Sequence, residues 1–261
     1  MLEVIEKGSI TDAHPTPLLF VHGGCSSAAI WDDHFLGFFA DRGYRATALS
    51  LRGHGASSLS QPLNTCSVDD YVNDVRTVAT ELDLPSVLIG HSMGCWVVLK
   101  CLDLNNAAAA GVLLAPGTPK GLRKWALSAF RRHPWLMLRT NTFGNTVDLF
   151  STPALAREFL FSSRTPDSVV RSCMGSLEPE SRRAAQELLK PLPDPRVVTP
   201  PMLVLGAGED ASRVEGDAAA VADMYQADSE IFPDMGHIMM LEPGWAAVAE
   251  RIHTWLATQG L

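Results

Sequence analysis

The chain has 261 residues, 46% of them hydrophobic and 19% charged, which is enough for a sizeable buried core and excludes a mainly disordered polypeptide. Its formal net charge of −8 argues against a general nucleic-acid binder, which needs a net basic face. No apolar run approaches the ~20 residues that span a bilayer. Met1–Thr11 alternates acidic and apolar residues and lacks the basic-then-apolar pattern of a secretory signal. The expectation is a soluble, cytoplasmic protein with no nucleic-acid partner and no stable membrane insertion. Five cysteines (Cys25, Cys66, Cys95, Cys101 and Cys173), odd in number and without a CxxC pair, read as free thiols. The eight histidines form no HxxxH or HxH pair to seat zinc, so neither a metal nor a cofactor is expected.

In chain order, Pro17–Val21 is a short apolar run that breaks into the turn His22-Gly23-Gly24. Ala28–Arg42 carries Trp31, Phe35, Phe38 and Phe39 at helical spacing and closes on Gly43. Tyr44–Leu51 reads as a strand followed by Arg52-Gly53-His54-Gly55. Ser67 with Asp70 three positions on is a variant capping box, opening a helix to about Leu82. Val87–Gly90 is a buried strand, Met93–Leu104 a helix, and Gly111–Ala115 another strand. After Pro116-Gly117 the alternation stops. Helix-like stretches broken by prolines follow at 122–132, 152–161, 166–175 and 180–189, closed by the stiff run Pro191–Pro195. Alternation resumes with Met202–Leu205, a helix around Asp217–Tyr225, a strand at Glu230–Phe232 and a last helix Trp245–Ala257. Strands alternating with helices imply an α/β fold with a mainly parallel sheet covered on both faces, its site along the edge of strand carboxyl ends. The chain therefore divides into a core of residues 1–117 and 198–261 interrupted by a helical insertion, 118–197.

Gly90-His91-Ser92-Met93-Gly94 is a G-x-S-x-G between a predicted strand and a predicted helix. There the chain reverses so sharply that the serine takes a strained conformation, and the flanking glycines let helix and strand approach. The Ser92 hydroxyl rises above the sheet edge, and the Met93 N–H at the helix N-terminus faces an oxyanion formed beside it. A serine hydroxyl is a weak nucleophile and needs a base oriented by an acid. In this architecture the order is serine, acid, histidine, which selects Asp210 and His237, each in a loop after a late strand. Glu209 is the neighbouring rival acid. The glycine-rich turn after the first long strand supplies the second oxyanion donor, the Gly24 N–H first and Cys25 second. The Cys25 side chain itself reads as a small buried group.

With these residues in place the sequence resembles the α/β-hydrolase fold superfamily, over nearly the whole chain outside the insertion. His22-Gly23-Gly24 with Trp31 is similar to its oxyanion segment, Arg52-Gly53-His54-Gly55-Ala56-Ser57 to its characteristic turn, Gly90–Gly94 to its elbow, and Gly236-His237 with Leu241-Glu242-Pro243 to its histidine loop. The resemblance implies that 118–197 is a cap roofing the site. Members that open epoxides or remove halide use an aspartate nucleophile where this chain has Ser92, and the epoxide openers also use cap tyrosines. Tyr44, Tyr71 and Tyr225 all lie outside the cap. Carbon–carbon bond hydrolases typically carry tryptophan just after the histidine, where this chain has Ile238-Met239-Met240. Serine esterases and lysophospholipase-like members are the nearer likeness, so ester hydrolysis is the default. A carbon–carbon bond hydrolase or thioesterase on the same triad is the alternative, and a non-catalytic ligand receptor is disfavoured by the complete triad.

The insertion is rich in aromatics, among them Trp125, Phe130, Trp135, Phe143 and Phe159. Burying each such side chain stabilises by roughly 1.5–3 kcal/mol, so most must pack against the core or line a pocket. Together with Cys25 and Ile238 they are the candidate pocket residues, and they point to a small-molecule ester with an apolar acyl or aromatic group. The partners expected are that substrate and, compatibly with it, a second copy in a homodimer. Residues 118–147 carry Lys120, Arg123, Lys124, Arg131, Arg132 and Arg139 and no acidic residue. This local reversal of charge reads as a solvated helix face, with steering of an anionic substrate or contact with an anionic membrane surface as its alternatives.

Overall fold

The computed structural model describes residues 1–103, 108–142, 145–195, 200–211 and 217–261. Among them, seven strands form one sheet in the order β1-β3-β2-β4-β5-β6-β7. These are β1 Glu3–Lys7, β2 Leu18–Val21, β3 Ala46–Ser50, β4 Ser86–His91, β5 Ala108–Leu114, β6 Met202–Ala207 and β7 Asp228–Phe232. Every neighbouring pair is parallel except β1 with β3, which pair antiparallel from Glu3 opposite Ser50 to Lys7 opposite Ala46. The sequence reading missed β1, whose Glu3, Glu6 and Lys7 suit a half-exposed edge strand. Strands β2, β3, β4 and β6 are buried along their whole length, as expected where helices cover both faces of a parallel sheet.

Alternation along the strands feeds two cores. Leu18 and Phe20 point to one face, where α1 (Ala29–Asp32), α2 (Phe35–Ala40) and α11 (Trp245–Gln259) pack with Trp31, Phe39, Ile252 and Trp255. Leu19 and Val21 point to the other, against α3 (Val68–Glu81), α4 (Met93–Asp103) and α10 (Asp217–Tyr225). The single helix expected over 28–42 is thus two, parted at Asp33-His34. Ser67 and Asp70 do close a reciprocal capping box at the start of α3.

Between β5 and β6 the chain forms α5 (Arg123–Arg132), α6 (Pro134–Thr142), α7 (Pro153–Leu160), α8 (Asp167–Ser176) and α9 (Arg182–Glu187). Helix α6 was not expected, because Pro134 reads as a stop. It is instead the first residue of the helix, where its missing N–H has no partner to lose. Ala129, Met137, Leu149, Phe159 and Leu160 join the same apolar cluster as Phe20 and Trp31, so the inserted helices share one core with the sheet.

Strand β2 lies between β3, which follows it, and β4, which continues in the other direction. The order reverses there, and a crevice opens at the carboxyl ends of β2 and β4. The turn at 22–25 and the elbow at Ser92 therefore meet at one place.

Candidate active site

Ser92 sits between β4 and α4 with φ +51°, left-handed for a residue with a Cβ, a conformation that costs about 1–3 kcal/mol. Packing holds it there. A Cβ on Gly90 would lie 2.5 Å from the Gly94 carbonyl oxygen, and one on Gly94 would lie 2.5 Å from that of Val21, so only glycine fits at either position. The Ser92 N–H donates to the Leu114 carbonyl at 3.0 Å, tying the elbow to β5.

The residues selected from the sequence come together here. His237 Nε2 lies 2.8 Å from Ser92 Oγ, and its Nδ1 lies 2.7 Å from Asp210 Oδ2. A carboxylate accepts, so Nδ1 carries the proton and Nε2 faces the hydroxyl as an acceptor. The rival Glu209 is used elsewhere, its carboxylate accepting the Ser163 N–H at 2.8 Å. Two buried groups hold the histidine loop. His91 Nε2 donates to the His237 carbonyl at 2.9 Å. Glu242, fully buried, accepts the N–H groups of Gly236 and Ser162 and the hydroxyls of Ser162 and Thr165, so the Leu-Glu-Pro segment fastens the loop to the end of α7.

Above Ser92 lies a cavity of about 190 Å³. Gly24 and Met93, the expected oxyanion donors, line it beside His91 and His237. Of the expected pocket residues, Cys25, Trp125, Phe159 and Ile238 line it, with Ile30, Trp96, Leu149 and Phe150 adding apolar wall. Burial and the Glu180 carboxylate push the Cys25 thiol up to about 12, so it stays protonated. Phe130 and Trp135 do not line the cavity, which corrects the expectation for both. Trp125 and Ala129, one turn apart, form the inward stripe of α5, and Phe130 is rotated about 100° out of it. Met137 and Thr140 face inward from α6, which turns Trp135 to the opposite side. Phe143 lies outside the described residues.

Sequence reasoning missed Glu180. Just ahead of α9, it is buried against the turn at 22–25 and lines the cavity. Its Oε1 accepts the Tyr71 hydroxyl and the Ser181 N–H, both at 2.6 Å. Its Oε2 lies 3.3 Å from His54 Nε2 and accepts the Cys25 N–H at 3.4 Å. Burial alone would raise the Glu180 carboxyl, but His54, Tyr71 and the Ser181 N–H outweigh it and hold the group below the usual range. Burial likewise opposes a charged His54, and Glu180, helped by Glu178, overrides it and raises that imidazole. The Arg52 fork on Asp74 and Asp70 braces the turn that carries His54. Glu178 completes a strap, its N–H donating to the Cys25 carbonyl at 2.9 Å while its carboxylate accepts the Gly55 N–H at 2.8 Å. Cys25, at φ +61°, is thereby held at both its N–H and its C=O. The only sequence signal was a pair of acids flanking Pro179, far along the chain from the turn they grip.

Among the described residues no three His, Cys, Asp or Glu side chains converge to hold a metal ion. No described helix is long and apolar enough to cross a membrane.

A mainly parallel sheet with a sharp turn between its fourth strand and the following helix defines a class of fold, and comparison with known proteins places the chain in it. Residues 18–251 match the model of the alpha/beta hydrolase family, and the chain belongs to that family. A non-heme chloroperoxidase of Streptomyces lividans is 44% identical over 79 residues, 30% of this chain and 28% of that protein. Protein phosphatase methylesterase 1 of Pongo abelii is 26% identical over 176 residues, 65% of this chain and 45% of that one. The chain thus spans less than half the length of these relatives. A thermophilic esterase of Thermogutta terrifontis superposes over 100% of this chain and 94% of its own, with a TM-score of 0.77 at 20% identity, a likeness of fold.

Proposed function

We propose that the protein is a serine hydrolase that cleaves carboxylic esters bearing an apolar acyl or aromatic group. The supporting observation is the continuous contact Asp210–His237–Ser92, 2.7 and 2.8 Å, opening onto a mostly apolar cavity. Ser92 Oγ attacks the ester carbonyl as its proton passes to His237 Nε2, and Asp210 holds the imidazole tautomer and stabilises the cation. The Met93 and Gly24 amides receive the oxyanion, each donor being worth ~3–4 kcal/mol of barrier. The tetrahedral species collapses to the acyl-enzyme, the alcohol leaving with the proton from His237. Water then enters, gives its proton to His237 and releases the acid and free Ser92. Only the neutral imidazole can begin either half. The partner is the small-molecule ester, and helices α5–α9 act as a cap that shapes its pocket.

A fluorophosphonate probe is expected to label the native protein and not Ser92→Ala, with circular dichroism unchanged. Labelling of Ser92→Ala at the native level would refute the assignment of the nucleophile. In a series of p-nitrophenyl esters kcat/KM is expected to rise from acetate toward medium-chain or aromatic acids. A maximum at acetate would refute the pocket assignment while leaving the triad standing.

A further inference from the structure

Ten large hydrophobic residues are exposed among those described, and four of them fall within twelve residues of α5 and α6. Leu127 is 51% exposed, Phe130 48%, Trp135 81% and Leu138 50%. They also include the only tryptophan and the only phenylalanine among those ten. A clustered exposed patch with aromatics needs an explanation that a lone surface leucine does not. The helices pack on each other and turn Ala129, Met137 and Thr140 inward, so these four side chains lie on their outward sides.

Charge says what covers the patch. Arg123, Lys124, Arg131 and Arg139 are exposed on the same two helices, and residues 118–147 contain no acid although the whole chain carries −8. Arg139 reaches Asp148 only at 3.7 Å, and neither Lys124 nor Arg131 forms an ion pair among the described residues. Exposed cations interleaved with Trp, Phe and Leu are the pattern of an element lying in a lipid–water interface, the rings among the acyl chains and the cations at anionic headgroups. A second copy on this face would set unpaired cations against unpaired cations, which disfavours a dimer.

From these observations we infer that the outward faces of α5 and α6 dock the protein on an anionic lipid surface. Trp135 and Phe130 enter the interface, and Lys124 and Arg131 meet the headgroups. Trp125, on the opposite side of α5, lines the cavity, so the docked face backs directly onto it. The inference does not depend on which bond the site cleaves.

The test is co-sedimentation of the full chain with phosphatidylcholine vesicles, with and without about 30 mol % phosphatidylglycerol. The protein is expected to sediment with the anionic vesicles and to stay in solution with phosphatidylcholine alone. Each Lys or Arg at such a surface strengthens binding about fivefold, so the double variant Lys124→Glu and Arg131→Glu should weaken it by more than about 25-fold. Trp135→Ser should weaken it at least tenfold, and all variants should keep native turnover of a dissolved ester and a native melting temperature. Failure to bind anionic vesicles, equal binding to neutral ones, or native binding by Trp135→Ser would each overturn the inference. So would a dimer, seen by light scattering, that Trp135→Ser dissolves while vesicle binding is absent. An acidic protein that binds the patch while vesicle binding is absent would overturn it too.

Discussion

Two buried histidines beside the candidate site make stability depend on acid. His22 donates from Nδ1 to the Gly23 carbonyl at 2.7 Å and accepts the Leu51 N–H on Nε2 at 3.0 Å, so a second proton would face a donor. Burial, reinforced by the neighbouring His54, depresses it from 6.5 to about 3. His91 already spends Nε2–H on the His237 carbonyl, and burial followed by the nearby His237 depresses it likewise to about 3. In the unfolded chain both bind a proton near pH 6.5, while in the folded chain neither does until about pH 3. Their contribution is therefore complete above pH 6.5 and is lost as pH falls toward 3. Each proton taken up on unfolding costs about tenfold in the folding equilibrium per pH unit, so the pair weakens folding by roughly 2–3 kcal/mol between pH 6 and 5. Carboxylates held low, such as Asp70 and Glu180, add to the slope only below their ordinary range, and His54, held high, opposes it above about pH 6.5, where the unfolded chain loses that proton first. His253 is also lowered and adds in the same direction, so the assignment rests on variants. Urea unfolding followed by tryptophan fluorescence from pH 5 to 8 measures the slope. His22→Gln keeps an acceptor for the Leu51 N–H and should remove about half of it. Identical slopes for His22→Gln and the native chain would refute the reasoning.

Further outcomes concern the elbow and the strap. Gly94→Ala puts a Cβ against two backbone oxygens, Val21 at 2.5 Å and His22 at 2.7 Å, and neither can yield without moving β2. It should cost about 3 kcal/mol in thermal unfolding and lower kcat on a chromogenic ester at least tenfold. Glu180→Gln should lower kcat about tenfold with little change in KM, because it loosens the turn that presents the Gly24 amide. Its effect on stability should be greatest between about pH 4.5 and 6.5, where both members of the pair are charged. The effect should shrink as pH rises through the elevated His54 value or falls through the depressed Glu180 value. A pH-independent loss would show that Glu180 acts through packing alone.

Much of this architecture is legible in the amino-acid sequence. The central strands announced themselves because burial on both faces forces uninterrupted apolar runs, as in Leu18–Val21 and Met202–Ala207. The elbow was legible because sterics allow few residues at 90 and 94, and Asp210 and His237 followed from chain order and their place after β6 and β7. Edge strand β1 was hidden because half-exposed positions tolerate Glu and Lys. Helix α6 was hidden because proline marks the start of a helix as readily as its end. The pocket aromatics were half misplaced, since composition names which rings must find company while only the helical phase of α5 and α6 decides which turn inward. Glu180 was beyond reach, its partners Cys25, His54 and Tyr71 being contacts that only the fold brings together.

The strap at residues 178–180 carries one further consequence. Glu180 lines the cavity and accepts the Cys25 N–H while the Glu178 N–H holds the Cys25 carbonyl, so a substitution in this short segment would disturb the cavity wall and the glycine-rich turn together.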